Sequence, residues 1–127
     1  MGAWGLLFDE NDDAADWLAE FGDAPDWGAV DQTLDCAGED YLEAPDCSNA
    51  LAAAEVVAAG IGNASARLDQ AIVDWASQAP QEAERRRKKA ADVLSRVRDD
   101  SELSELWEES EEFADWQASV NETLSRL

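Results

Sequence analysis

The sequence predicts an all-α fold, a compact single-domain bundle of five to seven helices behind an irregular N-terminal segment. Strand signals are nearly absent: period-two alternation is rare, β-branched runs are few, and Ala, Leu, Glu and Arg dominate. Apolar residues recur instead at spacings of three and four, as in Phe113, Trp116, Val120, Leu124 and Leu127. With 127 residues, 46% of them hydrophobic and six of them Trp, the chain is long and apolar enough for one domain with a real core, despite a net charge of -21.

The elements follow in order. Residues 1–10 read as irregular, with Trp4, Leu6, Leu7 and Phe8 over the core. A first helix starts near Asn11 or Asp12, both good N-caps, carries carboxylates in its first turn, buries Trp17, Leu18 and Phe21, and ends at Gly22. A second spans about 26–36, with Trp27, Val30 and Leu34 at helical spacing, and Gly38 closes it. Tyr41 and Leu42 lie in a connector ending at Pro45. Ser48 to Ala59 is apolar on nearly every face except at Glu55, which predicts a central helix packed on all sides and stopped by Gly60 and Gly62. A fourth helix over about 64–78 turns Leu68, Ile72 and Trp75 inward, and Pro80 opens a fifth that runs to about Arg98. Asp100 or Ser101 caps a sixth with Leu103, Leu106 and Trp107; a break near Ser110 separates it from the last amphipathic helix.

Charge is the strongest functional signal. Residues 1–66 hold 15 acids and no base, residues 67–99 hold 6 acids and 8 bases, and residues 100–127 hold 9 acids and 1 base. Such a chain repels nucleic acid and anionic membrane and attracts basic proteins, so direct nucleic-acid and membrane partners are not expected. Self-repulsion predicts that added salt stabilises the fold. The N-terminus lacks a basic region and a long apolar run, so it reads as neither signal peptide nor membrane span, and the cytoplasm is the default. Cys36 and Cys47 are too few for a disulfide scaffold and read as thiols in or near the core.

Catalytic constellations are scarce. The chain has no His, which removes His-based acid–base work, Ser-His-Asp triads and zinc sites of the His type. No catalytic, cofactor or metal residue is assigned. Asp9, Asn11, Asp13 and Glu20 fall at calcium-loop positions, but Ala14 replaces the required Gly, and helix capping explains the run better. Arg85 to Lys89 form a basic run that reads as internal charge neutralisation rather than phosphate binding. Glu102, Glu105, Glu109 and Glu112 share one face if the sixth and seventh helices are continuous, either as a solvated stripe or as a surface for basic groups. Trp27, near less regular chain, is a candidate partner contact, with core packing its other reading.

The stretches Met1 to Gly5, Phe8 to Leu18, Tyr41 to Glu43, Ala50 to Ala59 and Ser101 to Trp107, with Trp116, Val120, Leu124 and Leu127, resemble the uncharacterised bacterial family known as domain of unknown function 4259. The resemblance implies a small, usually intracellular single-domain protein without an established activity, and it carries no catalytic residues. It does mark Trp4, Phe8, Asn11, Asp12, Asp16, Trp17, Glu43 and Glu55 as positions of the family pattern. Their chemistry suggests a structural knot in which Asn11 and Asp12 cap the first helix and Trp4, Phe8 and Trp17 cover the central one. Glu55, if buried, needs a donor: a backbone N–H, an indole N–H or Arg67. The other arrangement brings Glu55, Glu43 and Asp16 together at a small polar site.

The expected role is a non-enzymatic acidic binding protein, of inhibitor or immunity type, docking on a basic protein such as a nucleic-acid-acting enzyme. A DNA mimic is the near alternative. An acidic soluble domain with no charge-specific partner, and a carboxylate-based hydrolase, stand behind it.

Overall fold

Cα geometry and side chains are described for residues 8–35 and 41–127 by a computed structural model, so Trp4, Cys36 and Gly38 lie outside the described residues. Seven helices run in order among them: α1 (Asp12–Asp23), α2 (Trp27–Asp35), α3 (Ala44–Gly60), α4 (Gln70–Ser77), α5 (Pro80–Asp99), α6 (Glu102–Glu108) and α7 (Phe113–Ser125). No strand occurs among the described residues, and the all-α bundle is as the sequence predicts.

The architecture is one helix wrapped by six. From Cys47 to Gly60 every residue of α3 except Asn49 is buried, and α3 packs against each of the other helices. Its small side chains are the reason. Ala52, Ala53, Ala54, Ala58 and Ala59 let neighbours approach on all sides, while Leu51, Val56 and Val57 fill the gaps. At Gly60 the approach is tight: a Cβ there would overlap the Cβ of Ala83 on α5 and touch Trp27.

Capping chemistry sets the helix ends. The Asn11 side chain accepts from the Ala14 N–H at 2.8 Å and starts α1. Gly22 does not stop α1, which runs on to Asp23 before Ala24 closes it. α3 begins earlier than the apolar run suggests, because Pro45 sits in its first turn rather than ending the connector. α4 begins later, at Gln70. Ser65 accepts from the Arg67 N–H at 3.1 Å and Asp69 from the Ala71 N–H at 3.0 Å, so the chain turns over residues 65–68 and Leu68 is buried from outside a helix. Ser101 and Ser104 cap α6 reciprocally, and residues 109–112 separate it from α7.

Two aromatic clusters lock the layers. Trp17 stacks on Phe21 at 4.9 Å, Phe21 meets Trp75 edge-on at 5.4 Å, and Trp75 meets Trp27 at 5.0 Å, which ties α1, α4 and α2 together. Trp107, Trp116 and Phe113 stack at 6.2 Å spacings under the α6–α7 junction.

Candidate functional site

The basic residues are engaged inside the molecule. Arg86 grips Asp31 of α2 through two bonds of 2.7 and 2.8 Å, takes Glu82 at 2.9 Å, and lies 5.2 Å from the Trp27 ring centre. Lys89 pairs with Asp35, Lys88 with Asp92, Arg85 with Glu82 and Arg87 with Glu84. Arg67 holds Asp9, Arg98 holds Asp99, and Arg126 holds Glu55 and Glu122. The hydrogen bond from Arg86 keeps the Asp31 and Glu82 carboxyls below the usual carboxylate range. The basic run therefore neutralises its own helix and the acids of α2.

Among the described residues the charge that remains unpaired is negative: Asp26, Glu43, Asp46 and Asp100 lack an ion pair, and two denser groups lie on α1 and at the α6–α7 corner. On α1, Asp12, Asp13, Asp16, Glu20 and Asp23 are exposed and without an ion pair. At the α6–α7 corner Glu108, Glu109, Glu111, Glu112 and Asp115 are likewise exposed and unpaired, and no base lies in sequence between Arg98 and Arg126. The stacked rings of Trp107, Trp116 and Phe113 brace this corner from below.

The acidic stripe read from the sequence divides. Glu102 is not at the free surface: its Oε1 accepts from the Ala44 N–H at 2.8 Å and so caps α3 from another helix. Glu105 accepts from the Tyr41 hydroxyl at 3.0 Å, and desolvation followed by that bond pushes the half-exposed phenol up to about 12. Glu109 and Glu112 lie in the break between α6 and α7, where they join Glu108 and Glu111, neighbours the spacing argument passed over. Trp27 is half-buried between Trp75, Arg86 and Gly60, which favours its packing role.

Several of the family-pattern residues have structural contacts and others do not. Phe8 is buried, Asn11 caps α1, and Asp12 is the first helical residue. Trp17 donates its indole N–H to Thr33 at 2.9 Å. Asp16 and Glu43 are exposed, and Glu43, at the N-cap of α3, makes no side-chain capping bond. Twelve residues of helix, about 18 Å, separate Glu43 from Glu55, so the small polar site is not formed. Glu55 is fully buried and is met by Arg126 and by the Thr123 hydroxyl at 2.8 Å; Arg67, one of the three donors considered, is turned to Asp9 instead.

The calcium-loop reading has no support: α1 occupies residues 12–23, Asp9 binds Arg67, and no cluster of three or more ligating side chains among the described residues could hold a metal ion. Cys47 is buried, its thiol pushed up by burial. No described helix is long and apolar enough to cross a membrane.

Beside the corner lies a groove of about 320 Å³, lined by Asp115, Ala118, Ser119, Glu122 and Thr123 of α7 and by Phe8, Ser65 and Arg67 opposite. Phe8 stands three residues before the α1 cap, and its carbonyl accepts from the Asn11 side chain at 3.4 Å, so the groove reaches from α7 toward the start of α1.

No curated protein and no solved structure matches the chain. The family described as Domain of unknown function (DUF4259) matches residues 2–119, and the chain belongs to that family.

Proposed function

We propose that this chain is a non-enzymatic binding protein that docks its α6–α7 corner on a basic protein, as an inhibitor or immunity protein acting on a nucleic-acid-acting enzyme would. One observation carries the reading: the bases are tied up internally, while five carboxylates between residues 108 and 115 have no partner. A dense, one-signed patch raises the rate of encounter with a cationic surface and penalises anionic ones. The aromatic stack beneath it limits the ordering cost of binding. A DNA mimic needs free acids in long rows, and the tethering of Asp31 and Asp35 to α5 shortens any such row, so the docking reading is favoured.

The test is a low-salt pull-down from the source cell with the wild type and with a variant carrying Gln at 108, 109, 111 and 112. A basic protein retained by the wild type, released by salt and lost with the variant is the expected result. Equal capture by both proteins refutes the proposal.

A further inference from the structure

We infer that the groove between α7 and Phe8 is an anchor pocket for one arginine or lysine side chain of the basic partner, an assignment that rests on the docking role proposed above. Asp115, Ala118, Ser119 and Glu122 follow the three- and four-residue spacing of one helix face. Two small residues between two carboxylates about 10 Å apart along the axis leave a trough. Phe8, Ser65 and Arg67 complete the lining, so the groove is mostly apolar with carboxylates among its lining residues.

The charges decide the occupant. Arg67 faces the groove but is neutralised by Asp9 through bonds of 2.8 and 3.1 Å, so it does not call for an anion. Glu122 is paired with Arg126 at 2.6 Å. Asp115 has no ion pair and belongs to both groove and corner. Aliphatic stems that end in a cation suit a mostly apolar trough with a free carboxylate in its lining. Continuity with the corner makes a side chain of the docked protein the occupant.

The probe is acetyl-Gly-Arg-Gly-amide, titrated into the full chain at low salt and followed by amide NMR shifts, with the citrulline tripeptide as a neutral match in shape. Expected are shifts centred on Ser65, Ala118 and Ser119, weak with citrulline, and about threefold weaker binding in Asp115→Asn. Ala118→Leu, which fills the trough without changing charge or breaking an exposed helix position, should abolish the shifts while the melting temperature holds. Shifts spread over α1 and the corner alike, or equal shifts with citrulline, overturn the anchor.

The captured basic protein separates the two readings. If Ala118→Leu binds it fully while the four-Gln variant does not, the anchor falls and docking stands. If neither variant loses it, docking itself falls. Loss with both supports both.

Discussion

Arg126 and Glu55 meet as a two-pronged pair, with Arg126 Nη2 2.6 Å from Glu55 Oε1 and Nη1 2.7 Å from Oε2. The pair joins the end of α7 to the buried middle of α3, and Asn63 reinforces it by donating to the Arg126 carbonyl at 3.0 Å. Glu55 is fully buried, so its charge has Arg126 and Thr123 in place of water. Removing the cation leaves an uncompensated buried charge. Arg126→Ala should therefore cost about 3–5 kcal/mol in urea unfolding, while Glu55→Met with Arg126→Leu should recover much of it. A loss below about 1 kcal/mol in the single variant would falsify this role.

Glu102 caps α3 across the chain, at a position where Glu43 makes no capping bond of its own. Glu102→Ala should destabilise the fold by about 1 kcal/mol, whereas Glu43→Ala should change it little. Equal effects of the two, measured by equilibrium unfolding, would contradict the assignment.

At Gly60 α3 lies so near α5 that an added Cβ would overlap the Cβ of Ala83. Gly60→Ala should cost about 1–3 kcal/mol by overpacking, even though Ala is the better helix former. Adding Ala83→Gly should relieve the overlap, so the double variant should lose less than the two single losses summed. Additive losses would place the strain elsewhere.

Acid should weaken the α2–α5 contact. The Arg86 hydrogen bond lowers the Asp31 pKa from its ordinary 3.8, so the pair contributes stability that is complete above that value and lost as pH falls below it. With the Asp31 side chain 43% exposed, solvent screening keeps the contribution small. Urea midpoints between roughly pH 5 and pH 2 should fall less steeply for Asp31→Asn than for the wild type. Parallel curves would show that this pair does not couple stability to pH.

Salt should act in the opposite sense from its usual effect on surface ion pairs. At a net charge of -21, screening relieves more repulsion than it removes attraction. The melting temperature should rise between low and moderate NaCl, and rise less in the four-Gln corner variant. A fall would mean that the internal pairs dominate.

Much of the bundle is legible in the chain itself. Ala-rich periodicity marks α3 as the central helix, Asn11 and Ser101 announce their helix starts, and Pro80 opens α5. The misplaced ends have local causes that propensity underweights. Ser65 and Asp69 bind nearby backbone N–H groups and delay α4, and Pro45 starts α3 instead of ending a loop. The candidate site was less legible. Even spacing singled out Glu102 and Glu105, yet the unpaired cluster is Glu108, Glu109, Glu111, Glu112 and Asp115, because periodicity cannot say which carboxylates find donors.

By itself, then, the sequence determined the helices, the central place of α3 and the excess of negative charge. These depend on signals acting over a few neighbouring residues, or on composition alone. Tertiary structure decided which charges cancel: Asp31 with Arg86, Asp9 with Arg67 and Glu55 with Arg126 lie 55, 58 and 71 positions apart. Pairing at that range depends on how helices pack, and packing leaves the α6–α7 corner bare.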